Sequence, residues 1–261
     1  MKRLVVFDLD GTLAESKSAI GAEMGALLAR LLDIVHVAVI SGGGWSQFER
    51  QLLSQIGSRA RLTRLSLLPV CGTRFYEYNE GWTLRYADDL TDGDKAKITE
   101  ALHQVATDID GPPARTWGDV IEDRGSQITY SALGQQAPLA AKKTFDPDFA
   151  KRTGMKAKLD SLIPEFSVRL GGTTSIDITK SGVDKAYGIR KLSEILAIEI
   201  GEMIFVGDAL LPGGNDHAVQ AAGVESISTR DPNETRGLIA AMLACAGGLG
   251  LDAPASTDGH R

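Results

Sequence analysis

The sequence predicts an α/β protein in which a parallel-sheet core is interrupted by an inserted α+β unit. Short apolar strands alternate with helices near both ends of the chain, which is typical of parallel strands joined by crossover helices. The middle of the chain instead repeats a helix–strand–strand pattern, which indicates an antiparallel sheet with two helices. We therefore predict a core from residues 1–85 and 183–247, an inserted unit from 86–182, and a disordered tail at 248–261.

Apolar runs and helical periodicity define the elements of the predicted core. Buried strands are expected at residues 4–7, 35–40, 65–70, 203–206 and 224–227, with a hairpin at 74–85. Helices are expected at residues 17–32, 46–56, 184–196, 216–222 and 231–246. The second of these helices starts with Ser46, and Glu49 follows at the spacing of a capping box.

Shorter and more polar segments define the inserted unit. Strands are expected at residues 119–123, 127–132, 166–170 and 175–179. One helix should start at Thr91 or Asp92, because both residue types favour N-caps. Another should run from Asp146-Pro147 to about residue 162, since proline is well tolerated in the first helical turn. We expect a ligand in a cleft between the core and the insert.

Composition argues against several classes of protein. The 261 residues carry a net charge of −6, which disfavours non-specific binding to nucleic acid. The two cysteines, Cys71 and Cys245, match neither a metal-binding spacing nor a disulfide framework, so a reducing compartment is expected. Charged residues interrupt the apolar stretch at 27–40, and we expect neither a membrane span nor a signal peptide. The expected location is therefore cytoplasmic.

The first predicted strand ends in a pair of carboxylates. Residues 4–7 lead into Asp8-Leu-Asp10-Gly-Thr, and strand alternation puts Asp8 and Asp10 on the same side. Gly11 then allows the backbone to turn sharply. One of the two carboxylates can act as a nucleophile or metal ligand, and the other as a general acid and base.

A second acidic site follows another apolar strand far along the chain. Residues 203–206 lead into Gly-Asp208, and Asp216 follows in the segment Leu-Pro-Gly-Gly-Asn-Asp. Parallel strands bring their carboxyl ends to one edge of the sheet, so Asp8, Asp208 and Asp216 should share one cation. Carboxylate oxygens are hard ligands, and they suit Mg²⁺.

Two further features would suit an anion beside those carboxylates. Ser41 follows the predicted strand at 35–40 and opens a Ser-Gly-Gly-Gly turn, whose hydroxyl and backbone N–H groups can cradle an anion. Lys185 opens a predicted helix, where a cation is unfavourable unless an anion lies nearby. Taken alone, the glycine turn is more simply a flexible turn, and Lys185 is more simply a solvated surface lysine.

Together these features resemble the haloacid dehalogenase superfamily in its phosphotransferase form. The resemblance covers residues 1–85 and 183–245 and implies a Rossmann-like core with the insert as a large cap domain. It implies that Asp8 attacks phosphorus to form an aspartyl-phosphate, and that Asp10 protonates the leaving group and then activates the next acceptor. The implied ligands of Mg²⁺ are Asp8, the Asp10 carbonyl, Asp208 and Asp216. The implied phosphate-binding residues are Ser41, Gly42, Lys185 and Asn215.

A narrower resemblance, to eukaryotic-type phosphomannomutases, is carried by four segments. They are Ile-Glu-Asp-Arg-Gly at 121–125, Ser-Ala-Leu-Gly at 131–134, Gly-Gly-Thr-Thr-Ser-Ile-Asp at 171–177 and Leu-Pro-Gly-Gly-Asn-Asp-His at 211–217. Those enzymes grip the distal phosphate of the sugar with cap arginines, and Arg124 falls on one such position. Gln135 stands where the next arginine is expected, and the third region offers only Lys142 and Lys143. The positions that match contacts to sugar hydroxyls are Ser175 and Asp177.

The missing arginine decides the order of our functional hypotheses. Arginine presents a planar fork to phosphate that Gln and Lys do not reproduce, and losing one charged contact typically costs about 1.5–3 kcal/mol. We therefore rank a Mg²⁺-dependent phosphatase of a small phosphosugar narrowly ahead of a phosphomannomutase that interconverts mannose 1- and 6-phosphates. Other cations could compensate for the arginine, namely Lys142, Lys143, Lys151, Arg152 and Arg169. A non-catalytic sugar-phosphate sensor is the third hypothesis, and the resemblance also implies a homodimer through the cap.

Overall fold

The computed structural model describes residues 2–15, 18–57, 60–109, 115–171, 174–212 and 214–248. The tail predicted at 248–261 lies outside the described residues, apart from Gly248. The chain forms two compact units. The first unit comprises the residues up to Tyr86 and from Asp184 onward, and the second unit runs from Ala87 to Val183.

The described residues form eleven strands and eight α-helices. The strands are β1 (Leu4–Asp8), β2 (His36–Ile40), β3 (Leu65–Leu68), β4 (Arg74–Tyr78), β5 (Trp82–Ala87), β6 (Ile121–Asp123), β7 (Gln127–Ser131), β8 (Phe166–Gly171), β9 (Ser175–Lys180), β10 (Met203–Gly207) and β11 (Glu225–Ser228). The helices are α1 (Ala22–Ile34), α2 (Trp45–Phe48), α3 (Asp92–Ile109), α4 (Leu139–Phe145), α5 (Ala150–Leu162), α6 (Lys185–Leu196), α7 (His217–Ala221) and α8 (Pro232–Gly248). None of these helices combines the length and the apolar character that crossing a membrane requires.

The first unit is built around a seven-stranded sheet in the order β11-β10-β1-β2-β3-β4-β5. The strands from β11 to β3 run parallel, and β4 then pairs antiparallel with β3. Val5 of the central strand β1 pairs with Val37 on one side and with Ile204 on the other. All of β1 is buried, as expected for a strand covered by helices on both faces. The predicted α/β core is therefore confirmed.

The second unit contains a four-stranded antiparallel sheet in the order β6-β7-β9-β8. One face of this sheet packs with helices α3 and α5 in a single apolar core, which includes Leu102, Ile128, Tyr130, Leu159, Ile176 and Ile178. Polar residues alternate with these along the central strands, among them Gln127, Thr129 and Asp177. The predicted antiparallel α+β arrangement is confirmed. It carries a third helix, α4, that the sequence analysis missed.

The helix predicted at residues 46–56 differs from the observed one in its start and its winding. It begins at Trp45 with Gly44 as its N-cap, so Ser46 lies inside the first turn and the predicted capping box with Glu49 does not form. After four residues the α-helix continues as a π-helical turn, Glu49–Leu53. Such turns are rare and occur frequently at functional sites.

The helix predicted from Asp146-Pro147 begins later, at Ala150. Asp146 lies before the intervening turn, where its carboxylate accepts the backbone N–H groups of Lys151 at 3.0 Å and Arg152 at 3.3 Å. The same carboxylate forms a buried ion pair with the Arg152 guanidinium at 2.8 Å. The start of α5 is therefore set by this pairing and not by the preference of proline for the first helical turn.

Helix α6 packs very close to the loop at residues 70–72. A Cβ placed on Gly188 would lie 2.6 Å from the carbonyl oxygen of Cys71, a separation that real side chains do not show. Because glycine has no side chain, α6 can approach residues 70–72 this closely at Gly188. The close approach matters because α6 carries Lys185 at its first position.

Gly188→Ala should destabilise the protein by about 1–3 kcal/mol, because the added methyl group forces α6 away from the loop. Alanine normally stabilises a helix interior relative to glycine by about 0.5–1 kcal/mol. Gly237 of α8 has open space around it, so Gly237→Ala is a matched control that should keep or raise stability. Urea unfolding of both variants measures the difference. Equal free energies of unfolding would contradict the close packing of α6.

Candidate active site

Three carboxylates converge at the carboxyl-terminal edge of the first unit's sheet. Asp8 ends β1 and is 4% exposed. Asp208 directly follows β10, the parallel neighbour of β1, so adjacent strand ends carry both side chains to the same edge. Asp216 is fully buried just before α7. Each residue offers one carboxylate oxygen, and these oxygens lie within 4.8 Å of one another.

Gly11 makes room for this convergence. Its φ of +90° lies in the region that glycine alone adopts readily, and a Cβ there would lie 2.5 Å from Asp208 Oδ2. Thr12 of the same turn donates from Oγ1 to Asp208 Oδ1 at 3.4 Å. The turn after the first acidic strand thus packs directly against the carboxylate of the second.

Lys185 is buried among these carboxylates. Asp184 caps α6 by accepting the backbone N–H of Tyr187 at 2.8 Å, which makes Lys185 the first helical residue. The Lys185 Nζ donates at 2.5 Å to Asp8 Oδ1 and at 2.5 Å to Asp216 Oδ1. Only 1% of Lys185 is exposed. The simpler interpretation of this residue as a solvated surface lysine is therefore wrong.

The electrostatics of the site are dominated by negative charge. The pKa of Asp8 is raised to about 7, chiefly by burial and further by Asp216 and Asp208, while Lys185 opposes the rise. Asp208 is the exposed member of the three, yet partial desolvation raises its pKa too, and Asp216 adds to the effect. Burial disfavours the charge of Lys185, but Asp8 and Asp216 outweigh it, so the pKa of Lys185 is raised. One ammonium group faces three carboxylates, and this set of hard oxygen donors fits Mg²⁺.

Ser41 lies at the same edge of the sheet. The register of β1 and β2 pairs Asp8 with Ile40, and Ser41 follows Ile40 directly. The Ser41 side chain is buried, and its Oγ accepts the backbone N–H of Gly43 at 3.1 Å. This bond orders the start of the glycine turn. The other two candidates for phosphate binding are a half-buried Gly42 and an exposed Asn215.

Asp10 is held by two glutamines that the sequence analysis missed. Gln47 Nε2 donates to Asp10 Oδ2 at 2.5 Å, and Gln51 Nε2 donates to Asp10 Oδ1 at 3.1 Å. The two glutamines lie four residues apart on the helix that follows the glycine turn, and therefore on one face. That spacing, just after the turn, was the one signal in the sequence that could have identified them.

Arg124 and Gln135 of the second unit have different surroundings. Two nitrogens of the Arg124 guanidinium donate to the same carboxylate oxygen of Glu122. Nε lies 3.0 Å and Nη2 lies 2.7 Å from Oε2. Gln135 Nε2 is buried and has no hydrogen-bond partner among the described residues. Lys142 donates from Nζ to the backbone carbonyl of Gln135 at 3.2 Å. Gln135, in the segment between β7 and α4, therefore lies against Lys142 of α4.

Ser175 and Asp177 lie on the polar side of the antiparallel sheet. Asp177 Oδ1 accepts hydrogen bonds from Gln127 Nε2 and Thr129 Oγ1, both at 2.8 Å. Ser175 Oγ lies 3.0 Å from Ser131 Oγ. The pairing of β7 with β9 places these residues together. The result is a network of hydroxyl, amide and carboxylate groups, which can both donate and accept hydrogen bonds.

Arg152 belongs to the structure of the second unit. It is 1% exposed, its Nε lies 2.8 Å from Asp146 Oδ2, and its Nη1 donates to the Gly171 carbonyl at 2.9 Å. These contacts give Arg152 a structural role inside the second unit. They lend no support to the expectation that Arg152 compensates for the missing arginine.

Comparison of sequences points to one family. The family model described as eukaryotic phosphomannomutase matches residues 24–245. A phosphomannomutase of Encephalitozoon cuniculi is 27% identical over 246 residues, which cover 90% of this chain and 91% of that protein. A phosphomannomutase of Triticum aestivum is 27% identical over 251 residues, which cover 89% of this chain and 92% of that protein.

Comparison of structures points to the same type of fold. A haloacid dehalogenase-like hydrolase from Bacteroides thetaiotaomicron matches with a TM-score of 0.66 at 17% identity, over 93% of this chain and 100% of that one. An IMP-bound IMP-nucleotidase from Plasmodium falciparum matches with a TM-score of 0.67 at 14% identity, over 93% of this chain and 68% of that one. At these identities the likeness shows the fold alone, and the fold is α/β of the haloacid dehalogenase type.

Proposed function

Because this chain belongs to the eukaryotic phosphomannomutase family, and with it to the phosphotransferases of the haloacid dehalogenase superfamily, we propose that it is an enzyme that transfers the phosphoryl group of a small phosphosugar by way of Asp8. The observation that carries this proposal is the convergence of Asp8, Asp208 and Asp216 around Lys185. Phosphoryl transfer needs a positioned nucleophile and neutralisation of the charge on the phosphoryl oxygens. This cluster of side chains can supply both.

Asp8 is the nucleophile in this proposal. One of its carboxylate oxygens bonds to phosphorus, the bond from phosphorus to the sugar oxygen breaks, and Asp10 gives that oxygen a proton. An acceptor hydroxyl then loses its proton to Asp10 and takes the phosphoryl group from Asp8. Lys185 and Ser41 bind the phosphoryl oxygens throughout. Asp8, Asp208 and Asp216 would hold Mg²⁺, which when bound neutralises negative charge at the phosphoryl group.

The acceptor decides between the two enzymatic candidates. A hydroxyl of the sugar as acceptor gives an isomer, and water as acceptor gives inorganic phosphate. Family membership favours the isomer, so we place interconversion of mannose 6-phosphate and mannose 1-phosphate first. This reverses the order that the missing arginine favoured. Hydrolysis is the second candidate, because Gln135 presents a neutral amide where a phosphate-binding arginine is expected.

One assay separates these candidates. The protein is incubated with mannose 1-phosphate, Mg²⁺ and a trace of hexose bisphosphate, and mannose 6-phosphate and inorganic phosphate are measured in the same samples. Isomer without equivalent phosphate supports the mutase, and phosphate without isomer supports the phosphatase. Both activities should disappear in EDTA and return with Mg²⁺. Tight binding of the sugar phosphate without either product would contradict both candidates and support the sensor.

Gln135→Arg should shift the balance toward the isomer. A guanidinium here would offer the distal phosphate a charged bidentate contact worth about 1.5–3 kcal/mol, so the ratio of isomer to phosphate should rise roughly tenfold to a hundredfold. The assay above measures this ratio directly. Gln136→Arg, at the exposed neighbouring position, is the matched control and should leave the ratio unchanged. An unchanged ratio in Gln135→Arg would contradict a role for this position in binding phosphate.

A further inference from the structure

We propose that Gln47 and Gln51 are positioning residues for the acid–base step, because together they hold both carboxylate oxygens of Asp10. This inference rests on the proposed function, in which Asp10 gives a proton to the leaving sugar oxygen and takes one from the acceptor. Neither glutamine is among the residues assigned above to phosphate, metal or sugar. Their contacts with Asp10 therefore need a separate explanation.

The two amides engage different oxygens of one carboxylate. Gln47 Nε2 donates to Asp10 Oδ2 at 2.5 Å, and Gln51 Nε2 donates to Asp10 Oδ1 at 3.1 Å. A single bond would leave the carboxylate free to turn about its Cβ–Cγ bond, whereas bonds to both oxygens fix its plane. A fixed plane matters for a proton donor, because transfer requires hydrogen-bond reach to the leaving oxygen.

The surroundings of Gln51 determine which way its amide points. Gln51 Nε2 also donates to the backbone carbonyl of Ser18 at 2.7 Å, and the backbone carbonyl of Gln51 accepts the N–H of Ile20 at 2.8 Å. Both partners of Nε2 are acceptors, so a reversed amide would place oxygen against oxygen. Gln51 is thereby anchored to the segment that follows the Asp-Gly turn, and its donor group faces Asp10.

The buried side chain of Gln51 destabilises the folded protein. The residue is 3% exposed, and its Oε1 is buried without a hydrogen-bond partner among the described residues. A buried amide oxygen without a partner destabilises the folded state, and an apolar side chain would avoid that cost. We attribute the presence of glutamine here to the donor that it presents to Asp10.

The winding of the helix supports the same assignment. Gln47 lies in α2, and Gln51 lies in the π-helical turn that continues it, Glu49–Leu53. A π-helical turn replaces the regular backbone bonding of an α-helix and is frequently found at functional sites. In this chain the irregular turn carries the buried glutamine whose amide contacts the acid–base residue.

The expected consequence depends on the leaving group. A sugar alkoxide is a poor leaving group and needs a proton from Asp10, whereas 4-nitrophenolate leaves without one. A weaker hold on Asp10 should therefore slow transfer from a sugar phosphate and spare transfer from 4-nitrophenyl phosphate. A purely structural role for the glutamines would slow both reactions equally.

Gln47→Ala is the main test variant, because Gln47 is only half-buried and the variant should fold. Gln47→Glu is the second variant, since it keeps the length of the side chain and replaces the donor with a repelling carboxylate. Gln55→Ala, at an exposed glutamine after the same helix, is the matched control. For each protein, kcat and KM are measured with mannose 1-phosphate, and the single-turnover rate of 4-nitrophenolate release is measured with 4-nitrophenyl phosphate, together with the melting temperature.

We expect both Gln47 variants to lower kcat on the sugar phosphate by about tenfold to a hundredfold, and to lower the single-turnover rate of 4-nitrophenolate release from the aryl phosphate by less than about threefold. KM and melting temperature should stay near the wild-type values, and Gln55→Ala should match the wild type. Equal losses on both substrates, a loss confined to KM, or no loss would overturn the inference. Failure of the wild-type protein to convert either substrate would instead overturn the proposed function.

Discussion

Asp8→Asn is expected to abolish phosphoryl transfer, lowering kcat by on the order of 10⁴-fold or more. The amide has nearly the shape of the carboxylate but lacks its nucleophilic oxygen, so the covalent intermediate cannot form. The fold should survive, because Lys185 keeps its ion pair with Asp216 at 2.5 Å. Conversion of mannose 1-phosphate by the purified wild type and variant measures the loss.

A second aspartate provides the control for this substitution. Asp33 forms an exposed ion pair with Arg61 at 3.0 Å, in the same unit as Asp8. Asp33→Asn should therefore keep full activity. Melting temperatures near the wild-type value in both variants would show that the loss at Asp8 is chemical. Turnover by Asp8→Asn within about tenfold of the wild type would contradict the assignment of Asp8 as nucleophile.

Asp146→Asn should destabilise the second unit by about 3–5 kcal/mol, because it leaves the Arg152 guanidinium buried without its counter-charge. Both side chains of this ion pair are almost completely buried. Denaturant unfolding measures the change. Asp160→Asn removes an exposed ion pair with Lys156 from α5 and is the matched control, expected to cost less than about 1 kcal/mol. Similar costs for the two variants would contradict the structural role of the buried pair.

The ion pair between Asp146 and Arg152 makes the protein less stable as the pH falls into the acid range. Burial acts to raise the pKa of Asp146, but hydrogen bonds from the Arg152 side chain and from the backbone of Lys151 and Arg152 outweigh it and hold the pKa below its ordinary value. A carboxyl group of this kind stabilises the fold above its unfolded pKa of about 3.9 and loses that contribution as the pH falls further. As the pH is lowered below about 3.9, the free energy of unfolding of Asp146→Asn should therefore fall less steeply than that of the wild type.

The convergence of acidic residues was predictable because it follows from the order of the strands. Apolar runs end at Asp8 and at Asp208, and neighbouring parallel strands carry such ends to one edge of a sheet. Lys185 was predictable for a different reason. A cation at a helix start needs a nearby anion, and the structure supplies Asp8 and Asp216.

The sequence marks the glutamines around Asp10 only by their four-residue spacing, and their role depends on contacts between segments distant in sequence. Gln47 and Gln51 are ordinary helix formers, and only the folded chain brings their amides to the Asp10 carboxylate. The π-helical turn that carries Gln51 likewise has no sequence pattern that periodicity could identify.

The helix predicted at residues 17–32 begins only at Ala22, and the other two wrong helix starts have a similar cause. Ser46 and Glu49 have the spacing of a capping box, but the helix already starts at Trp45, after a turn whose Gly43 carbonyl accepts the backbone N–H of Val70 at 3.0 Å. At Asp146 the local signal was proline, and the buried pairing with an arginine overrode it. In both places a tertiary contact determines the backbone, and local preference follows it.

The most direct test of Asp8 as the nucleophile is to trap the phosphoryl group on the protein. The wild-type chain is mixed with mannose 1-phosphate or hexose bisphosphate and Mg²⁺, quenched in acid, digested and mapped by mass spectrometry. We expect a hydroxylamine-sensitive phosphoryl group on the peptide that contains Asp8, formed only with Mg²⁺ and absent from Asp8→Asn. Full turnover with no phosphorylated Asp8, or a phosphoryl group on any other residue, would contradict this assignment.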